Sequence, residues 1–293
     1  MINLTLKQLR YFEALARHNH FGRAAEASAI SQPALSMQIK DLETTLGTAL
    51  VERGGRQVRL TGFGEDVLLR ARGILRAVDE LSDMVRQSGE RLSGRLRLGV
   101  IPTIAPYLLP KVLPVFSRDF PQADIHVRET LTPTLLRELS EGRLDAAILA
   151  LLVSEPSLHE MPLFDEAFVL VRPKSDQMSP TPDIDALHNI RLLLLEEGHC
   201  FRDQALSFCN IPSMARDGLD GSSLTTLVQM VSAGIGATLI PEMAVPVETR
   251  SAKVTISRFA PPEPSRRVGM VWRKTSPLAA DLTELAAIVQ RAA

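Results

Sequence analysis

The stretch ISQPALSMQIKDLETTLG, residues 30–47, carries its own start and stop signals. Ser31 is a good N-cap, Pro33 fits a first helical turn, and Gly47 is a natural end. Between them Leu35, Ile39, Leu42 and Leu46 recur at helical spacing and form a stripe for burial. The outer face is left polar. It offers Ser31, Gln32, Pro33, Ala34, Ser36, Gln38 and Lys40, short hydroxyl, methyl, amide and amine groups of the kind a helix presents to base edges in a major groove.

Working outward, Leu6, Leu9, Phe12 and Leu15/Ala16 mark the inner face of a first helix, and the alanine-rich FGRAAEASA, residues 21–29, a second. Ala24, Ala25 and Ala27 let neighbouring helices approach closely. After the third helix, LVERGGRQVRLT, residues 50–61, holds two short extended pieces around Gly54 and Gly55. Arg53, Arg56 and Arg59 sit in or beside that turn, where they would meet phosphates and supply affinity without sequence choice. A small helical domain with merely solvated polar faces is the alternative. The coincidence of a trihelical unit, a Ser-Gln-Pro helix start and an arginine-bearing wing favours double-stranded DNA as the partner.

From Thr61 no proline occurs until Pro102, and Val67/Leu68, Ala71, Ile74/Leu75, Val78, Leu81 and Val85 recur at three- and four-residue steps. One long amphipathic helix follows, either packed on the rest of its own chain or, more simply beside a DNA-binding unit, forming the seam of a two-fold dimer. Gly89 and Gly94 punctuate a hinge. The expected organisation is a winged helix-turn-helix over 1–60, a linker and dimerisation helix over 61–88, a hinge over 89–95 and a regulatory part over 96–293.

The whole chain of 293 residues has a net charge of −1, yet residues 1–60 hold eight Lys/Arg against five Asp/Glu. The basic excess is therefore at the front, as DNA contact there requires. No apolar run approaches the length of a membrane helix, and the N-terminus lacks a secretory pattern. A cytoplasmic, reducing location with no membrane partner is expected, and a permanent structural disulfide is not.

Beyond the hinge, strand and helix patterns alternate. LRLGVI, ADIHVRET and DAAILAL read as strands, separated by helices over 105–119 and 133–142. AFVLVRP, IRLLLLE, the helix SLTTLVQMVSAG and ATLIP form a second set, followed by KVTISRF, RRVGMVW and a helix over 277–291. Two α/β lobes built on parallel strands would leave a cleft at strand ends and helix N-termini, where open α/β sheets place ligands.

Both cysteines lie in EEGHCFRDQALSFC, residues 196–209. A helix starting near Cys200 would set its sulfur beside free backbone N–H groups and close to the Arg202 guanidinium, both favouring thiolate. Arg202 has an alternative as an ion-pair partner of Asp203, Glu196 or Glu197, and His199 could bring a charge, a hydrogen bond or neither. With 201–209 helical, the cysteines stand ~13 Å apart along the axis, whereas a disulfide needs Cα atoms within ~7 Å. Joining them must unwind the segment. Zinc is disfavoured by the ligand spacing, and the Cys-X-X-Cys of a thioredoxin-like enzyme is absent.

Residues 21–53, with Arg23-Ala24-Ala25, Ser31 to Ser36, Gln38-Ile39, Leu42-Glu43 and Leu46-Gly47, resemble the N-terminal winged helix-turn-helix of LysR-type transcriptional regulators. The remainder resembles that family's periplasmic-binding-protein-like effector half. GVIPTIAPYLLP, PLFDE, LEEGHCFRDQALSFC and SAGIGATLIP are similar to its hydrogen-peroxide-sensing branch. The resemblance implies Cys200 as the peroxide-reactive residue, Cys209 as the one that closes a reversible disulfide, and Thr103, Thr132, His199, Arg202 and Asp203 around hydrogen peroxide. Thr103 and Thr132 have an ordinary alternative as helix caps after strands. It further implies a homodimer or homotetramer, contact with RNA polymerase, reduction by a thioredoxin- or glutaredoxin-type protein, and control of antioxidant-defence genes. No enzyme activity, cofactor or metal is expected. The competing function keeps the DNA-binding half and makes the cleft a receptor for an organic metabolite, with incidental cysteines.

Overall fold

The computed structural model describes residues 4–52, 58–86, 92, 94–178, 181, 187, 190–209 and 220–292. The chain divides into two compact units, Met1–Val85 and Arg86–Ala293. Arg53 and Arg56, Gly89 of the hinge and residues 210–219 lie outside the described residues.

In the first unit α1 spans Leu6–His18, α2 Phe21–Ala27 and α3 Gln32–Leu46. A capping box opens α1, with the Gln8 N–H donating to Thr5 Oγ1 at 3.2 Å and the Thr5 N–H to Gln8 Oε1 at 3.1 Å. Helix α2 ends two residues earlier than its alanine content suggests, because Ala29 adopts a left-handed φ of 53°. Ser31 caps α3 by accepting from the Ala34 N–H at 3.3 Å, and Gly47 ends it at φ 73°. Phe12, Leu15, Leu35, Ile39 and Leu42 are buried, and Ala24 and Ala25 seat α2 against them; Leu46 is only partly covered.

The buried Glu43 carboxylate accepts from the N–H groups of Leu50 at 2.8 Å and Val51 at 3.2 Å. It ties α3 to the wing, whose strands β1 (Val51–Glu52) and β2 (Arg59–Leu60) pair antiparallel. Helix α4, Gly62–Arg86, begins where Thr61 Oγ1 accepts from the Gly64 N–H at 2.9 Å. Ala71 is buried and Val67 and Leu68 pack on the helical core, whereas Ile74 and Leu81, seven residues apart, stand exposed. The apolar repeat therefore serves two surfaces, Val67, Leu68 and Ala71 the unit's own core, Ile74 and Leu81 solvent in the single chain.

The second unit is a mixed α/β body. Strands β3 (Gly94–Val100), β4 (Ala123–Glu129) and β5 (Ala146–Leu151) alternate with α5 (Ala105–Asp119) and α6 (Thr132–Ser140). β6 (Leu158–Pro173), β7 (Leu192–Leu195), α7 (Cys200–Phe208), β8 (Asp220–Gly221), α8 (Leu224–Ser232), β9 (Ala237–Pro241), α9 (Val245–Glu248), β10 (Val254–Ser257), β11 (Ser265–Arg273) and α10 (Ala279–Ala292) follow. The strand order is β4-β3-β5-β11-β6-β9-β7-β8, with β10 beside β6.

The expected parallel pairing holds within each lobe, for β3 with β4 and β5 and for β7 with β8 and β9. It fails where the lobes join: β11 runs antiparallel to β5 and β6, and β6 antiparallel to β9. β6 is also twice as long as its apolar half, AFVLVRP, indicates. Its first half, LHEMPLFDE, mixes charges and Pro162 with apolar residues and so lacks a buried-strand pattern; Pro162 sits opposite Gly269, where the register shifts. Helix α5 continues through Pro110 and Pro114 because both lie on its exposed side, where the carbonyls left without N–H partners face water. One core gathers Leu96, Leu98, Phe116, Ile148, Met270 and Val289 in the first lobe; another gathers Phe168, Leu193, Phe201, Leu227 and Ile240 in the second.

Two glycines of α4 offer a paired test. A Cβ at Gly64 would lie 2.1 Å from the Leu50 carbonyl oxygen, whereas one at Gly73 meets nothing within 4 Å. Gly64→Ala is expected to destabilise by about 1–3 kcal/mol through overpacking, and Gly73→Ala to stabilise by about 0.5–1 kcal/mol. Urea unfolding of the full chain at fixed protomer concentration reads both.

Candidate functional site: a cysteine at the interlobe pocket

Helix α7 begins five residues beyond the end of β7, after a turn that only glycine serves well. Gly198 has φ 93°, and a Cβ there would approach Leu131 Cδ1 to 3.1 Å. His199 is the N-cap residue, its side chain making no capping bond, and Cys200 is the first helical residue. Cys209 follows the last one. Neither cysteine is in a disulfide. Nine helical steps hold them ~13 Å apart along the axis. Their surroundings differ too: half-buried Cys200 packs against the first lobe's core, whereas Cys209, 0% exposed, belongs to the second lobe's core.

Cys200 lines a pocket with Ile101, Pro102, Thr103, Leu131, Thr132, His199 and Phe201. Thr103, Thr132 and Cys200 all lie just past the carboxyl ends of strands of the parallel sets, β3, β4 and β7. Open α/β sheets assemble ligand sites there. The helix-cap alternative for the threonines does not hold: Ile104 precedes α5 and Leu131 precedes α6, and neither helix has a side-chain cap. Thr103, 3% exposed, instead accepts from Arg266 Nη1 at 2.7 Å through its hydroxyl, and its carbonyl accepts from Arg266 Nη2 at 2.9 Å. The Thr132 hydroxyl is buried at the pocket without a hydrogen-bond partner, which costs free energy unless something enters to pair with it.

Burial holds the His199 imidazole below its ordinary pKa against a weaker upward pull from Glu196. The ring is therefore neutral at pH 7, and of its two anticipated contributions the positive charge is not available there. Arg202 pairs with none of the three anticipated neighbours in its own segment and does not line the pocket. Its Nη1 donates to the Leu195 carbonyl at 2.7 Å and meets Asp220 Oδ1 at 2.9 Å, which fixes α7 to the ends of β7 and β8. Asp203 is exposed in the first turn of α7. Neither residue lines the pocket, so of the five residues expected around a peroxide the structure brings together Thr103, Thr132 and His199. Zinc loses its geometry as well, because Cys209 stands at the far end of the helix from Cys200 and His199.

Several residues of the site escape a reading of the sequence. Arg266 is 3% exposed and donates to Glu166 through Nε at 2.8 Å, while Glu166 accepts in turn from the Met243 N–H at 3.0 Å. One buried ion pair thereby connects Thr103 of the first lobe to the segment before α9 in the second. Phe201 lies 5.8 Å from the Arg266 guanidinium and edge-on to Phe168 at 4.9 Å, so the residue after the cysteine covers that pair. A second link joins the lobes, the Tyr107 hydroxyl donating to Glu248 Oε1 at 2.6 Å; burial and Glu248 raise the Tyr107 pKa and keep it protonated. Gln204, one turn along α7 from Cys200, has a buried Oε1 without a partner. The available signal was strand alternation: Arg266 and Arg267 adjoin on β11 and must face opposite sides, and Arg267 takes the exposed one with Asp165.

On α3, Gln32, Pro33, Ser36 and Lys40 are exposed and Ala34 and Gln38 half-buried, while Ser31 spends its hydroxyl on the cap. This is the face expected to read DNA. No helix among the described residues is long and apolar enough to cross a membrane.

Comparison with known proteins agrees with both units. Residues 6–65 match the helix-turn-helix of bacterial regulatory proteins of the lysR family, and residues 89–293 match the LysR substrate binding domain. The chain is 41% identical to the DNA-binding transcriptional dual regulator OxyR of Escherichia coli, over 98% of this chain and 95% of that protein. Among solved structures it is similar to a full-length OxyR variant from Pseudomonas aeruginosa, with TM-score 0.79, 35% identity and coverage of 99% of this chain and 96% of that one. It is also similar to a cysteine mutant of Corynebacterium glutamicum OxyR with hydrogen peroxide bound, with TM-score 0.68, 37% identity and coverage of 99% and 92%. A helix-turn-helix unit with an arginine-bearing second strand, joined to a two-lobed α/β unit with its pocket at the strand ends, belongs to the LysR family of bacterial transcriptional regulators.

Proposed function

We propose that this chain is a hydrogen-peroxide-responsive, DNA-binding regulator of transcription, switched by a reversible disulfide between Cys200 and Cys209, that controls antioxidant-defence genes. The observation that carries the reading is the intact helix α7 between the two reduced thiols, each packed against a different core. The Cys200 thiolate attacks one peroxide oxygen, the O–O bond breaks, and hydroxide leaves and is protonated to water. The sulfur is oxidised by two electrons to a sulfenic acid. Cys209 then displaces water from that sulfur to form the disulfide, which requires α7 to unwind and Cys209 to leave the second lobe's core. A thioredoxin- or glutaredoxin-type dithiol returns two electrons and restores the helix.

The pocket suits the first step. The unpartnered Thr132 hydroxyl is available to hydrogen-bond a small neutral ligand. Thr103, held by Arg266, and neutral His199 complete the polar lining. Arg202 acts indirectly, through the anchoring of α7. An organic metabolite is the weaker reading, because the similar Corynebacterium glutamicum OxyR mutant holds hydrogen peroxide.

Exposed Ile74 and Leu81 on α4 suit a helix-to-helix dimer seam, and a two-fold dimer sets two α3 helices on two DNA half-sites. Pairing of such dimers into a tetramer lets the disulfide alter subunit spacing and hence contact with RNA polymerase. The expected location is the cytoplasm, where the reductant operates.

Roughly stoichiometric hydrogen peroxide is expected to remove both free thiols of the wild type, with a loss of helical signal in circular dichroism. Cys200→Ser should keep its remaining thiol, and Cys209→Ser should stop at a trappable sulfenic acid. Thiol loss with an unchanged helical signal would defeat the switch, and a DNA response to peroxide that survives Cys200→Ser would favour another sensor.

Arg56→Ala is expected to weaken binding to all DNA sequences alike and to reduce the salt slope by about one unit. Gln32→Ala and Ser36→Ala should instead alter sequence preference. Binding measured on a panel of duplexes across a salt series separates the two behaviours.

A further inference from the structure

Leu131 has no place in the chemistry just described, yet it lines the pocket beside the reactive sulfur. It belongs to neither lobe's core. Its backbone is committed to starting α6, the carbonyl accepting from the Thr134 and Leu135 N–H groups, each at 3.0 Å. The side chain reaches across the gap between lobes to the turn that carries Cys200, where its Cδ1 lies 3.1 Å from the position of a Cβ on Gly198. Three of the other pocket residues are fixed more firmly. Ile101, Thr103 and Phe201 are each deeply buried, Thr103 by its bonds to Arg266 and Phe201 by its edge contact with Phe168.

We infer that Leu131 is the specificity-determining residue of the pocket, an apolar closure that admits hydrogen peroxide to Cys200 and turns away organic hydroperoxides. The inference rests on the peroxide reading above. The chemistry does not separate the two substrate classes. With an organic hydroperoxide the sulfur takes the terminal hydroxyl oxygen, the O–O bond breaks, and alkoxide leaves and is protonated to the alcohol. The sulfur again loses two electrons. Discrimination must therefore come from the space available to the leaving alkoxy group. Hydrogen peroxide has two heavy atoms and needs about twice the ~30 Å3 share of a water molecule. A branched alkyl group would meet the Leu131 methyls at the Gly198 turn, the side opposed by the deeply buried Ile101, Thr103 and Phe201.

The test measures second-order rates of thiol loss for the reduced full chain with hydrogen peroxide, tert-butyl hydroperoxide and cumene hydroperoxide. Wild type should favour hydrogen peroxide strongly. Leu131→Ala should raise both organic rates by roughly tenfold or more, the scale on which missing methylenes change selectivity, while the hydrogen peroxide rate moves far less. Should the alanine variant fail to fold, Leu131→Val must shift the ratio in the same direction by a smaller factor. Equal rates for the three oxidants in wild type, or a ratio unchanged by both substitutions, would overturn the role of Leu131. A wild type whose Cys200 ignores hydrogen peroxide would instead remove the peroxide reading itself, so the two failures are distinguishable.

Discussion

An α-helix whose two ends carry the partners of a prospective disulfide cannot keep its hydrogen bonds and gain that bond together. In this chain the constraint is reinforced by packing, since Cys200 rests on the first lobe's core and Cys209 is enclosed in the second's. Moving either thiol to the other changes the contacts of both lobes. A disulfide between them would thus convert oxidation of one sulfur into a rearrangement by geometry alone, without any ligand that must bind the two states differently. The Arg202 anchor to Leu195 and Asp220 adds to what must be released.

The neighbouring polar network explains why the pocket stays in shape while α7 is held. Arg266, Glu166 and Thr103 are buried together, and breaking such a pair by removing one partner typically costs about 3–5 kcal/mol. The ion pair lies where strands β6 and β11 pass between lobes, so it fixes the position of Thr103 relative to the turn that presents Cys200. Phe201 shields the guanidinium and is covalently next to Cys200. Any unwinding that carries Phe201 away would expose a buried charge pair to water, which couples the state of the thiol to the joint between lobes. The Tyr107–Glu248 bond is a second buried contact across the same joint.

Much of the fold was legible because its signals are local. The caps Ser31 and Gly47, the stripe Leu35, Ile39 and Leu42, and the apolar strands β3, β5, β7 and β9 each announce themselves within a dozen residues. The first half of β6 and its antiparallel pairing with β11 did not. Their pairing joins residues about a hundred positions apart, and the first half of β6 has the composition of an edge. The site was legible in the same uneven way: Cys200 and His199 stand out in their own segment and the threonines came with the family resemblance, whereas Arg266, Glu166 and Leu131 acquire their roles only from what folds against them.

What the sequence by itself determined is the set of elements and one incompatibility: periodicity and capping chemistry are local, and a helix rise per residue makes the separation of Cys200 and Cys209 a matter of counting. The tertiary structure alone decided direction and partnership. It turned Arg202 toward Leu195 and Asp220, sent Arg266 inward to Thr103, left the Thr132 hydroxyl unpaired, and laid Leu131 against Gly198. A guanidinium can reach several neighbours, and which one it takes depends on which burial costs the rest of the fold has already imposed.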